Sequence, residues 1–158
     1  EAMGRQGFGI EFNEDKFLYA QVLLQHPQHL FHVDSRRLAQ YDLPAFDLCM
    51  TSPPYTTIDE IDDPLADYSR RGAGYAAYLF DIRSIFAQLS RLMKPSARVI
   101  IEIANLRTAT GVTPLAWDVA QEVSRSLRFD GETVICWDHY GHGYDHSYCL
   151  AYSRAGTP

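Results

Sequence analysis

The chain has 158 residues, of which 46% are hydrophobic and 22% charged, with a formal charge of −6. That size suits one domain with a real core, and the composition excludes the disordered and fibrous classes. The acidic balance provides no general basic footprint for a polyanion, so any affinity for nucleic acid has to come from a local patch or from another segment.

Three cysteines, Cys49, Cys136 and Cys149, lie in strand-like apolar stretches without CxxC spacing. They read as buried free thiols of a reducing compartment rather than as a disulfide framework. No apolar run approaches the ~20 residues that span a bilayer, and the first residues lack a signal-peptide pattern. No membrane partner is expected, and a cytoplasmic location is the default.

Taken in order, Glu1 to Gly7 reads as the tail of a helix closing on a glycine. Phe8 to Phe12 is a short strand, and Asn13 is a good N-cap for a helix from about Glu14 to about Gln25, with acids in its first turn. Leu30 to Asp34 is the next strand, again ending on an acid. Phe46 to Thr51 is a third strand, and it stops at Ser52-Pro53-Pro54-Tyr55. Each proline fixes its own φ and restricts the residue before it, so this turn has little backbone freedom.

A long polar segment from Thr56 to about Gly74 follows, and loops of that length are usually functional or disordered. Tyr78, Ile82, Ile85, Phe86, Leu89, Leu92 and Met93 then recur at helical spacing, and this helix has to stop before Pro95. Arg98 to Ala104 is nearly continuous in apolar character, as strands covered on both faces are. Thr113 and Pro114 supply an N-cap and a first-turn proline for a helix marked by Leu115, Val119, Val123 and Leu127. Glu132 to Trp137 and Ser147 to Tyr152 are two final strands, expected as an antiparallel pair at the sheet edge.

Strands alternating with helices imply an α/β fold with a mainly parallel sheet covered on both faces. Ligands of such sheets gather at the carboxyl ends of the strands. Glu11, Asp34, Ser52 to Tyr55, and Asn105 end four successive strands and are expected to face one crevice.

With these residues in place, the chain resembles the S-adenosylmethionine-dependent amino-methyltransferases, which include DNA enzymes with [DNS]PPY motifs and related RNA enzymes. The motif here is Ser52-Pro53-Pro54-Tyr55. GFGIEF resembles the cofactor-ribose strand, HVDS the adenine-binding strand, SRLMKPSARVIIEIANL the helix and strand after the catalytic turn, and ETVICWD with YDHSYCLAYSR the closing hairpin. The resemblance covers almost the whole chain. It implies a Rossmann-like methyltransferase sheet with a C-terminal antiparallel hairpin, in a single catalytic domain over residues 1–158 without a separate target-recognition domain.

One departure stands out: the Gly-rich cofactor loop and the strand before it are absent, and Gly7 and Gly9 do not replace them. The domain is therefore expected to be N-terminally incomplete, or to take its missing strand from elsewhere. Lack of that strand would leave two neighbouring strands with unpaired edges.

The resemblance implies roles for individual residues. Glu11 would accept hydrogen bonds from the cofactor ribose hydroxyls. Phe12 would pack on the adenine, with core packing as its alternative, and Asp34 would accept from the adenine amino group, with an N-cap or turn role as its alternative. Thr51 lies at the cofactor side of the turn. Ser52 and the Pro53 carbonyl would accept the hydrogens of the target amino group, so that its lone pair meets the sulfonium methyl, Pro54 keeps the turn stiff, and Tyr55 would stack on a flipped or splayed base.

No cysteine is needed as a nucleophile. His139, His142 and His146 match no zinc spacing, and no metal is assigned. Trp137 and Tyr140 are candidates to flank the target pocket, with core packing the expected role of Trp137. By analogy within the family, Ser before PPY leans toward the cytosine amino group of DNA; the expected target is cytosine N4 or adenine N6, and the lack of room for a recognition domain keeps tRNA guanine-N2 as an alternative. A noncatalytic remnant of the fold is the reading from a different class.

Overall fold

The computed structural model describes residues 4–67, 74–141 and 144–156. The chain divides into two compact units, Glu1–Asp42 and Leu43–Pro158. No helix among the described residues is long and apolar enough to cross a membrane.

The first unit is built as strand, helix, strand: β1 (Gly9–Glu11), α1 (Glu14–Leu23) and β2 (Leu30–His32). Asn13 caps α1 as its position predicts, its side chain accepting from the Lys16 amide at 3.0 Å, with Glu14 and Asp15 in the first turn. β1 and β2 pair in parallel, Ile10 opposite Phe31 and Glu11 opposite His32. At position 9 a Cβ would meet Leu30 Cδ1 at 2.8 Å, so any larger residue there would push the end of that leucine aside. Val33 and Leu38 are the buried apolar residues of this unit among those described. α1 buries none of its residues, and Tyr19, Val22 and Leu23 stand in solvent.

The second unit contains β3 (Phe46–Thr51), α2 (Tyr75–Leu89), β4 (Met93–Ile103), β5 (Leu106–Thr108), β6 (Gly111–Thr113), α3 (Leu115–Val123), β7 (Leu127–Gly141) and β8 (Tyr144–Arg154). Its main sheet runs in the order β3-β4-β8-β7. β3 and β4 are parallel, while β8 is antiparallel to both β4 and β7. Three strands therefore point one way and β8 alone the other. Among the described residues β3 pairs only with β4, and β1 only with β2.

One face of this sheet carries the core. Val99, Ile101 and Ile103 of β4 and Leu150 and Tyr152 of β8 alternate onto it and are completely buried, as the two-residue period of a strand requires. Tyr78, Ile82, Ile85 and Phe86 of α2, and Leu115, Ala116, Val119 and Val123 of α3, supply the helical layer.

Several expected boundaries move. α2 ends at Leu89, a single 3₁₀ turn takes Ser90–Leu92, and Met93 already begins β4. Pro95 lies in an irregular stretch where the pairing register jumps from Phe46–Met93 to Leu48–Arg98, so its missing N–H removes no regular ladder bond. Leu127 starts β7 rather than ending α3, and the β5–β6 hairpin was not anticipated. β7 and β8 run well beyond the predicted strands, with β7 at the sheet edge.

A candidate active site at the proline turn

The ladder between β3 and β4 places Thr51 opposite Ile101, so the chain leaves β3 beside the next residue of β4, Glu102. Ser52 Oγ donates to Glu102 Oε2 at 2.9 Å, and the Tyr55 hydroxyl donates to the same oxygen at 3.2 Å. One carboxylate thus ties both ends of the turn. Pro53 is buried and Thr51 half-buried. From the first turn of α2, the buried Tyr78 donates its hydroxyl to the Pro54 carbonyl at 3.0 Å. Behind it, Tyr75 Oη bonds Asp118 of α3 at 2.8 Å.

The Tyr55 ring lies 5.6 Å from that of Tyr144, tilted by 56°. Burial, the Glu102 charge and Tyr144 push the Tyr55 hydroxyl far above its ordinary range. It remains a proton donor at any working pH. Burial also pushes the Cys49 thiol up to about 11, which keeps it out of nucleophilic chemistry.

Glu102 is the site residue that sequence reasoning passed over. Its signal was available: a single acid inside RVIIEIA, where a charge persists only if it has partners. Asn105, expected to face a crevice with the other strand-end residues, instead turns to α3, and its Oδ1 accepts from the Ala116 amide at 2.9 Å. Thr113 does not cap that helix; its Oγ1 accepts from the Ile58 amide at 3.0 Å.

That bond anchors the segment after the turn, and Thr110 adds a second tie to Asp59. Thr56 and Asp63 are buried, and Asp63 caps a 3₁₀ turn over Pro64–Ala66 by accepting from the Leu65 amide. This part of the predicted loop is built rather than loose. Its residues 68–73, with Arg70 and Arg71, lie outside the described residues. So do His142 and the side chains of His139 and Tyr140. Among the described residues no group of His, Cys, Asp and Glu is arranged to hold a metal ion. Trp137 is 49% exposed, so core packing is not its role.

The remaining predicted residues belong to the first unit. Glu11 ends β1 and Asp34 lies just past the parallel β2, and the Val33 amide extends the pairing by bonding the Glu11 carbonyl at 3.2 Å. Glu11 is half-buried, and its Oε1 accepts from the Asn13 amide at 2.7 Å. Asp34 is more heavily engaged. It caps the turn at Ser35–Gln40 through the Arg36 amide at 2.9 Å, and the Arg36 guanidinium grips both carboxylate oxygens at 2.9–3.0 Å. Burial alone would raise this carboxyl, but the Arg36 bonds and the charges of Arg36 and Arg37 hold it below its usual value. Phe12 is 42% exposed, and its carbonyl accepts from the His32 ring at 2.9 Å.

Comparison with known proteins gives the frame for this geometry. No protein-family profile and no curated protein sequence matches the chain. Solved structures do. TTHA0409 of Thermus thermophilus, a provisionally assigned DNA modification methylase solved with S-adenosyl-L-methionine, superposes with a TM-score of 0.58 at 22% identity. That match covers 78% of this chain and 51% of the other. TrmN from Thermus thermophilus gives 0.61 at 12% identity over 93% of this chain and 36% of its own. The N-methyltransferase NodS of Bradyrhizobium japonicum WM9, solved with S-adenosyl-l-homocysteine, gives 0.58 at 10% identity over 93% of this chain and 65% of its own.

The fold is that of the Rossmann-like methyltransferases. The chain spans about half the length of TTHA0409. Within this fold the proline turn occupies the carboxyl end of a parallel strand, the position at which open α/β sheets build their sites.

Proposed function

We propose that the chain carries the catalytic part of an S-adenosylmethionine-dependent methyltransferase acting on an exocyclic amino group of a nucleobase, with DNA favoured. The observation that carries this reading is the shared Glu102 acceptor. Because Ser52 directs its proton to Glu102 at 2.9 Å, the serine lone pairs are left to accept an N–H from outside. The Pro53 carbonyl is the second acceptor of the amino group. Two acceptors on one NH₂ turn its nitrogen lone pair out of conjugation with the ring, which orients the nucleophile before reaction.

Bound S-adenosylmethionine supplies an electrophilic methyl on sulfur. Methylation of the amino group would require it to lose one proton, and we assign its uptake to the Ser52–Glu102 pair, whose hydrogen bond of 2.9 Å offers a path from the serine oxygen to the carboxylate. Tyr55, held by Glu102 and Tyr144, offers a ring face for the base. No covalent intermediate is required.

The first unit fits the cofactor in part. The Asn13 amide occupies one Glu11 oxygen, leaving the other for a ribose hydroxyl, and Phe12 offers an exposed ring for adenine. Asp34 fits less well, since Arg36 already occupies both of its oxygens; any adenine contact would compete with that grip. Thr51, ending β3, is the remaining cofactor-side residue.

The test offers radiolabelled S-adenosylmethionine with DNA, tRNA and protein in parallel. Label is expected in DNA, and label in tRNA alone would move the substrate to RNA. Ser52→Ala and Tyr55→Ala are each expected to abolish transfer while cofactor affinity, measured by calorimetry, stays unchanged. Undiminished transfer in both variants would remove the turn from the chemistry.

A further inference from the structure

β8 alternates, so Tyr144, His146, Tyr148, Leu150 and Tyr152 share one face. Leu150 and Tyr152 are completely buried in the core. The three residues before them are only half-buried. They are joined by Trp117 of α3, whose ring lies 4.7 Å from that of Tyr148 while remaining 44% exposed. Val134 and Cys136, opposite Tyr148 and His146 on β7, are exposed as well.

Two of these rings are tied together. His146 bonds Asp145 through Nδ1 at 2.6 Å and the Tyr148 hydroxyl through Nε2 at 2.8 Å, and meets the Tyr148 ring edge-on at 5.1 Å. At the other end Tyr144 touches Tyr55. The row therefore starts at the ring assigned to the acceptor base and runs to Trp117. The Asp145 carboxylate beside it is held by His146, and the Arg107 charge acts on it as well. Arg107 is exposed, and a guanidinium there suits a phosphate.

Core packing does not account for Tyr144, His146, Tyr148 and Trp117 all staying partly exposed. Unstacked bases do, since every base has a face to stack and such stacking needs no sequence readout. We propose that Tyr144, His146, Tyr148 and Trp117 form a platform for the unpaired nucleotides that flank the base held at Tyr55. This rests on the nucleobase reading above and adds to it a preference for single-stranded or locally melted substrate.

The test uses the full chain carrying Trp137→Phe, which leaves Trp117 as the sole tryptophan. Its fluorescence is titrated with ten-residue single strands of DNA and of RNA, and with a DNA duplex. Single strands are expected to quench Trp117 more strongly than the duplex. Trp117→Ala is expected to weaken single-strand binding, read by anisotropy of a labelled strand, about 5- to 100-fold, and Trp117→Phe to restore most of it. Absence of quenching, equal quenching by duplex, or undiminished binding in Trp117→Ala would overturn the platform. Quenching by RNA but not DNA would keep the platform and assign it to RNA. Failure of the methylation reading shows separately, as strand binding that responds to Trp117→Ala in a protein that transfers no methyl group to any nucleic acid.

Discussion

Glu102 illustrates how one charge organises a turn. Its carboxylate takes the hydroxyls of Ser52 and Tyr55, while Tyr78 takes the Pro54 carbonyl from the opposite side. Hydrogen bonds to charged groups contribute about 1.5–3 kcal/mol and neutral ones about 1 kcal/mol. Glu102→Gln is therefore expected to slow methyl transfer about 10- to 100-fold, and Tyr78→Phe about fivefold, with cofactor affinity unchanged in both. Single-turnover rates beside calorimetry check this, and a Glu102→Gln variant as fast as the parent would exclude the carboxylate from the site. Tyr152 presents the opposite situation. Its ring is completely buried and its hydroxyl finds no partner among the described residues. Tyr152→Phe removes an unsatisfied group rather than a bond, so the thermal midpoint is expected to hold or rise; a fall of several degrees would reveal a partner.

The start of α3 shows where local sequence rules fail. Thr113-Pro114 has the form of a cap, yet the helix is capped across the β5–β6 hairpin by Asn105. No window of a few residues contains that pairing. Asn105→Ala is expected to cost about 1 kcal/mol, the usual worth of a cap, seen as a lower urea midpoint. In the first unit, the cap at Asp34 is expected to respond to pH. Its carboxyl lies lower in the folded state than the usual carboxylate value. The stabilisation is thus complete above the unfolded value near 4 and is lost as pH falls through the folded one. Protection of the Ser35–Gln40 amides against hydrogen exchange, taken relative to their intrinsic rates, is expected to fall below about pH 4, and Asp34→Asn to abolish that acid dependence.

Much of the architecture was legible because it is written in short-range patterns: the Asn13 cap, the apolar stripe of α2, the run of β4 and the stiff turn after Thr51. What escaped depends on distant partners. The β5–β6 hairpin is held by Thr113 and Thr110 to the segment after the turn, and the length of β7 and β8 follows from their mutual pairing. The roles of Glu102 and Asn105 likewise appear only once separate strands and helices are brought together.

The outer side of β3 has a practical consequence. Among the described residues its backbone pairs only with β4, and Leu48 and Met50 beside it are 50% and 71% exposed. An open, apolar strand edge without lysine or proline is a template for another chain. Purified protein is accordingly expected to lose soluble yield as concentration rises during refolding, and Met50→Lys to act as a gatekeeper that recovers it. Turbidity and light scattering across a dilution series would measure both, and a Met50→Lys yield no better than the parent's would point the aggregation elsewhere. The strand that delivers Ser52 to its carboxylate is then also a strand whose outer edge calls for protection while the chain folds.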